Sequence, residues 1–153
     1  MSSAIAVFQG MGGVKGTVRF KDMNGNVQVV LNLNGLKING YHGFHIHEYG
    51  DLSDGCNSAC LHFNPFDKKH GCPGMDERHV GDLGNITTDM FGNANYNFYD
   101  DVISLDGKNS ILGRMLIIHQ DQDDCGKGGN EESLKTGNAG KRIACAVIGI
   151  SKN

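Results

Sequence analysis

Polar and apolar residues alternate with a period of two along much of the chain. Val29, Leu31 and Leu33 alternate with Val30, Asn32 and Asn34, while Val14, Gly16, Val18 and Phe20 alternate with Lys15, Thr17 and Arg19. Successive side chains of an extended strand point to opposite faces, so each run predicts a half-buried strand. Asn24-Gly25 lies between the two runs, a dipeptide suited to the positive φ angles of a tight hairpin. Further strands are predicted over residues 4–9, 43–48, 83–88, 93–100, 114–119 and 142–150. No stretch sustains a 3.6-residue apolar repeat, so helix content should be small. Eight short strands imply an all-β, antiparallel sandwich or barrel.

Two segments interrupt this pattern. Residues 50–81 and 120–141 are long, polar and glycine-rich. Long loops of this kind in a compact domain are often functional. All seven histidines lie in the first loop or at strand ends beside one of the two loops. His45-Ile46-His47 places two imidazoles on one strand face, with Phe44, Ile46 and Glu48 on the other. His62, His70, His79 and Asp82 follow with seven, eight and two intervening residues. Three imidazoles and a carboxylate are a donor set that zinc accepts, and a metal would order a loop whose composition cannot. His119 ends the strand that contains Met115-Leu116-Ile117-Ile118. His42 is out of phase with His45 and His47, and is read as a structural histidine.

Six histidines and one aspartate give seven ligands, one short of two four-coordinate sites. One imidazole engaged through both ring nitrogens would balance the count, although counting does not say which. A mostly imidazole set also suits copper, so the pattern leans toward redox chemistry.

Composition narrows the setting. At 153 residues the chain fits one domain, taken as 1–153, and its net charge of -3 gives no sign of a nucleic-acid or membrane partner. Glycine is high at 23, with 2 prolines and no tryptophan, as expected for many tight turns. Met1 to Phe8 lacks a basic leader, and no apolar run approaches the ~20 residues of a membrane span. A cytoplasmic protein is the expectation. Asn85-Ile86-Thr87 matches a glycosylation acceptor by chance. Five cysteines leave at least one unpaired within the chain, and a single bridge could be drawn in ten ways.

The segments Gly43-Phe44-His45-Ile46-His47-Glu48, His62-Phe63-Asn64-Pro65 and Arg78-His79-Val80-Gly81-Asp82-Leu83-Gly84-Asn85, with 126–140, resemble the cytosolic copper–zinc superoxide dismutases end to end. The resemblance implies an eight-stranded Greek-key barrel, sandwich-like, with two functional loops. It implies copper on His45, His47, His62 and His119, and zinc on His62, His70, His79 and Asp82, so that His62 bridges. Asp123 would hydrogen-bond one ligand of each metal, and Arg142 would hold the substrate anion. Glu131, Glu132, Lys135 and Thr136 would shape the entrance. The implied reaction turns superoxide into dioxygen and hydrogen peroxide by ping-pong copper cycling, with His62 as proton carrier. Cys56 and Cys145 match the family's intrachain disulfide.

The resemblance also implies a homodimer through segments containing Ile5, Gly50, Gly113 and Ile150. Cys60, Cys72 and Cys125 depart from the common family pattern. For Cys60 and Cys72, beside His62 and His70, competition for zinc or mispairing with Cys56 are alternatives to the expected buried free thiols, and the state of Cys125 is left open. No lysine stands in Gln120-Asp121-Gln122, just after His119. Lys141 and Ile143 flank Arg142 where some relatives carry prolines linked to a copper chaperone, so maturation without an obligatory chaperone is expected. The alternative to an enzyme is a non-catalytic copper chaperone or metal-storage domain of the same fold, which commonly lacks a copper ligand or the arginine.

Overall fold

Burial follows the predicted alternation. The computed structural model describes residues 2–152, so the predicted domain's end residues Met1 and Asn153 lie outside it. The strands are β1 (Ser3–Gln9), β2 (Lys15–Asp22), β3 (Val27–Asn34), β4 (Tyr41–His47), β5 (Ser53–Cys56), β6 (Asp82–Thr87), β7 (Ala94–Asp100), β8 (Met115–His119), β9 (Arg142–Val147) and β10 (Gly149–Ile150). One helical turn, α1 (Ser133–Thr136), lies in the second long loop. Along β1 and β3 every second residue is buried. Asn24 and Gly25 take positive φ and turn β2 into β3, with Asp22 opposite Val27.

Two antiparallel sheets result, ordered β10-β1-β2-β3-β7 and β6-β4-β8-β9. They face each other as a sandwich-like form of the expected barrel, without closing into one hydrogen-bonded ring. Phe20, Leu31 and Leu33 from the first sheet meet Phe44, Ile46, Ile86, Leu116 and Ile118 from the second in one apolar cluster. Fully burying each such side chain stabilises the fold by about 1.5–3 kcal/mol relative to leaving it exposed.

The second sheet is covered on both faces. In β8 all five residues are buried, which accounts for its unbroken apolar run. Leu116 and Ile118 join the central core, whereas Met115 and Ile117 pack with Ala59 and Cys145 in a smaller cluster. The same division holds in β4, where Phe44 and Ile46 face the core and His45 and His47 are buried elsewhere. His45, His47, His119 and Asp82 therefore sit on a rigid sheet, beneath the two long loops that carry the remaining candidates.

Those loops are ordered by specific bonds. Phe63 N–H donates to the Ile46 carbonyl, Ile46 N–H to Gly81, and Gly81 N–H to Phe63, which sews the first loop along β4. The second loop is held by Gly43 N–H to the Asp121 carbonyl, Asp121 N–H to Ala139 and Asp124 N–H to Gly137. Arg78 anchors the first loop to β7 by pairing with Asp100 at 2.7 Å while donating to the carbonyls of His79 and Val80. Both partners of this ion pair are buried, so loss of either would leave an uncompensated charge.

One predicted strand divides. Residues 142–150 break at Ile148, which is fully buried and exchanges backbone bonds with Gly113 and Arg114. The chain thereby leaves the second sheet, and Gly149 and Ile150 pair with Ile5 and Ala4 in the first.

Candidate metal centre

Six imidazoles and two carboxylates converge between the sheet and the loops. β4 supplies His45 and His47, β8 supplies His119 and β6 supplies Asp82; the first loop contributes His62, His70 and His79, and the second Asp123. His45, His47, His62, His70, His119, Asp82 and Asp123 are each no more than 4% exposed. His62 is drawn onto the sheet by a backbone bridge to His47.

The hydrogen bonds decide which ring nitrogens remain available. His47 Nδ1–H donates to the Cys60 carbonyl at 2.8 Å, and His119 Nδ1–H donates to Gly140 at 3.1 Å. That leaves their Nε2 atoms, which face each other at 3.4 Å. His45 spends Nε2 on Asp123 at 2.6 Å, leaving Nδ1. His70 spends Nε2 on the same carboxylate, at 2.8 Å from Oδ1, leaving Nδ1 at 3.0 Å from Asp82 Oδ2. Asp123 thus orients one imidazole on each side of the centre.

His62 differs from these rings. Its Nδ1 lies 2.9 Å from Asp82 Oδ1 and 3.2 Å from His79 Nδ1, while its Nε2 is buried with no partner. Each of its nitrogens is therefore open to a different cluster. One cluster is His45, His47, His62 and His119, and the ligand atoms lie within 4.8 Å of one another. The other groups His45, His62, His70 and Asp82 by the same distance, and His79 Nδ1 joins Asp82 Oδ1 at 3.2 Å. His45 has one nitrogen left over, so it can serve only one of the two clusters.

A metal fits this set on structural grounds. His45 Nδ1 and His62 Nε2 are buried and make no hydrogen bond, and His70 Nδ1 is buried against Asp82 Oδ2 at 3.0 Å. Each such group costs about 1–3 kcal/mol if left unsatisfied. The three converge on carboxylate and imidazole donors, where a cation would satisfy them all. The protonation states of four of the rings agree. Burial lowers the His45 and His47 pKa values well below the usual histidine value, lowers that of His62, and takes His119 to about 4. Neutral imidazoles are the form that binds metal. For His70 burial works downward, but Asp123 and Asp82 outweigh it and raise the ring to about 9. Burial alone would raise Asp82, yet hydrogen bonds from His62, His70 and His79 hold its carboxyl well below the carboxylate range.

Access is through a cavity of about 390 Å³ lined by His47, His62, His119, Lys135, Thr136 and Arg142, with Glu132 at its rim. Arg142 donates Nη1 to the Cys56 carbonyl at 2.7 Å and Nη2 to Cys60, which fixes its guanidinium at the mouth. Glu131 instead pairs with Lys135 at 3.3 Å, and both are exposed. His42 is buried and donates Nδ1–H to the His119 carbonyl at 2.7 Å, the structural role expected of it.

The cysteines require a correction. Cys56 and Cys145 are joined, tying the first loop to β9. Cys72 and Cys125, however, are not buried free thiols: they form a second disulfide between the two long loops. Cys60 is free but exposed, in a left-handed backbone conformation. Pairing of 72 with 125 needs the loops to be neighbours, and contacts such as His70–Asp123 make them so.

Asn85 ends a family-like segment and matches a glycosylation acceptor by chance, with no role assigned to it from the sequence. Its side chain donates to the Asp123 carbonyl at 2.9 Å and accepts from Asp123 N–H at 2.7 Å, so it fixes the orienting carboxylate. Nothing local in the sequence marked it, because its partner lies 38 positions away.

A family profile described as copper/zinc superoxide dismutase (SODC) matches residues 14–148. A superoxide dismutase [Cu-Zn] of Paramecium bursaria Chlorella virus 1 is 60% identical over 98% of this chain and 79% of its own length. Superoxide dismutase [Cu-Zn] A of Xenopus laevis is 54% identical over 98% of this chain and 99% of its own. The crystal structure of the clock protein EA4 superposes with a TM-score of 0.92, at 46% identity, covering 97% of this chain and 94% of that one. The chain belongs to the copper/zinc superoxide dismutase family.

Proposed function

We propose that this chain, acting as one domain over 1–153, disproportionates superoxide to dioxygen and hydrogen peroxide. The observation that carries the reading is His62, with one nitrogen directed to His79 and Asp82 and the other buried without a partner beside His45, His47 and His119. In this reading copper is held by His45, His47, His62 and His119, and zinc by His62, His70, His79 and Asp82. Copper, when bound, supplies reversible one-electron exchange with superoxide.

The protein's own part lies in placing charge and protons. Arg142, fixed by two carbonyls at the cavity mouth, presents a cation where a small anion must enter. Lys135 adds positive charge at the rim, beside Glu131, Glu132 and Thr136. Each turnover consumes two superoxide ions and two protons. His62 Nε2 can hold one of those protons in a buried position next to the incoming anion, since Nδ1 is committed to the other cluster. Asp123 keeps His45 and His70 from rotating, so the site needs little reorganisation.

Three wider expectations belong to the same reading. Ile150 is 81% exposed beside β1, and Gly113 bonds to Ile148 nearby, which supports a homodimer through Ile5, Gly50, Gly113 and Ile150. Lys141 and Ile143 beside Arg142 support maturation without an obligatory copper chaperone. A cytoplasmic location is part of the same reading, by resemblance to the cytosolic enzymes of the family.

The deciding experiment combines copper and zinc content per chain with direct superoxide decay kinetics. One copper and one zinc with rapid decay are expected. Full copper without activity would instead show a storage protein, and zinc alone a structural site.

A further inference from the structure

The Cys72–Cys125 disulfide has no part in the chemistry above, yet it sits against the metal centre. Cys72 follows the zinc-side ligand His70 by two residues, and Gly71 N–H donates to Asp82 Oδ2 at 2.9 Å. Cys125 follows Asp123 by two residues, and its own N–H donates to Asp123 Oδ1 at 2.8 Å. The two sulfurs therefore join the backbone that carries His70 to the backbone that carries the carboxylate orienting it. Apart from this bond, the loops meet here through hydrogen bonds, among them His70 N–H to the Leu134 carbonyl at 2.9 Å and His70 to Asp123. Cys72 is buried and Cys125 half-buried, so Cys125 is the more accessible partner for an attacking thiolate.

We propose that Cys72 and Cys125 form a redox-operated clasp that governs how long zinc is retained. This rests on the reading that His62, His70, His79 and Asp82 hold zinc. In the oxidised state the loops cannot separate, so His70 cannot swing away from Asp82 without breaking the fold around Asp123. A small dithiol, or a protein of the dithiol class, opens the clasp by thiol–disulfide exchange. One of its thiolates attacks the Cys125 sulfur and the Cys72 sulfur leaves as a thiolate; the reductant's second thiol then closes on the mixed disulfide. Two electrons and two protons pass to Cys72 and Cys125, and the reductant becomes a disulfide. Opening lets the His70 segment move as a unit and speeds zinc loss. Disturbing partners that orient metal ligands typically costs 10–100-fold in affinity, so zinc should leave the opened protein ~10-fold faster or more.

The test follows zinc transfer from the metal-loaded protein to a chromogenic chelator. Oxidised wild type is compared with C72S/C125S, which keeps Cys56–Cys145, each with and without a dithiol. Alkylation and mass analysis identify the cysteines opened, and C60S controls for the exposed thiol. The expected result is slow loss from oxidised wild type and ~10-fold faster loss from wild type opened at 72 and 125 alone. The variant should be fast whether or not dithiol is present, with the copper spectrum unchanged before zinc departs. Equal rates for oxidised wild type and variant, or an equal dithiol response in both, would overturn the clasp and leave the zinc-ligand reading intact. Zinc missing from both at the outset would overturn the ligand reading and the clasp with it. Should the variant not fold, the selectively opened wild type decides alone, and an unchanged rate there refutes the clasp.

Discussion

Asp123 Oδ2 accepts from His45 Nε2 at 2.6 Å, while the same carboxylate takes His70 Nε2 at 2.8 Å through Oδ1. One buried side chain thus sets ring orientation on both sides of His62. Asp123→Asn would place an N–H where one imidazole now donates. Both metals should bind ~10–100-fold more weakly, with zinc and copper occupancy by elemental analysis as the check. Activity should return in part when metals are supplied in excess.

Gly137 has φ +72, and a Cβ there would come within 2.0 Å of Asp123 Oδ1 and 2.5 Å of His70 Nε2. Gly137→Ala therefore meets both a backbone penalty and a collision with the orienting pair. The expected cost is about 1–3 kcal/mol of stability, together with reduced zinc content. Gly149→Ala, where a Cβ meets nothing within 4 Å and no positive φ applies, serves as the control in thermal unfolding.

The metal-free protein should have a distinctive pH profile. His119, lowered to about 4, and His45, His47 and His62, also lowered, bind fewer protons folded than unfolded. Their contribution is present above the ordinary histidine value of ~6.5 and is lost as pH falls toward 4. His70, raised to about 9, acts in the opposite sense: its contribution is full below ~6.5 and disappears as pH rises through 9. Denaturant midpoints of the metal-free protein should peak near ~6.5, falling more steeply on the acid side, where five groups, His42 included, act against one. A flat profile from 4 to 9 would contradict the assignment of buried neutral rings.

Steering of the anion should depend on the exposed pair at the rim. Glu131 lies 3.3 Å from Lys135 and offsets part of its field. Lys135→Glu should slow superoxide decay and Glu131→Gln should quicken it modestly. Salt should slow the parent and flatten these differences, because the Debye length falls to ~3 Å at 1 M. Stopped-flow rates against ionic strength would show whether the order of the three proteins holds.

Cys145→Ser should destabilise the oxidised protein, since Cys56–Cys145 spans a sequence separation of 89. A loop of that size corresponds to up to ~4–5 kcal/mol in the chain-entropy view. Cys72–Cys125 lies within that span and shortens the effective loop. Each bond therefore contributes less while the other is present, so the two single losses should sum to less than the stability lost when both bonds are removed together, which denaturant titration of the single and double variants can measure.

How much of this was legible in the chain depended on the range of each interaction. Alternation located β1, β2 and β3, and short strand-like runs located β4 and β6 to β9, because both patterns are local consequences of facing a core. The convergence of six histidines was readable as a count, and the H-x-H spacing put His45 and His47 on one face. His42 was separable from them by phase alone. The break at Ile148 was not readable, since it depends on Gly113 and Arg114 competing for its backbone. Nor was Cys72–Cys125, because spacing cannot reveal that loops 53 positions apart are neighbours. Asn85 escaped for the same reason: its function exists only once Asp123 is folded against it.

The short strand beyond Ile148 has a mechanical consequence. Gly149 and Ile150 pair antiparallel with Ile5 and Ala4, and Ser151 N–H donates to the Ser3 carbonyl at 3.0 Å. Tension applied between the two ends of the chain would load these bonds one after another, peeling the edge instead of shearing a whole ladder. Yielding would begin at this seam, in the sheet that carries none of the histidines. The imidazoles between β4, β8 and the loops would feel the pull only after Ile148 had been drawn from its place.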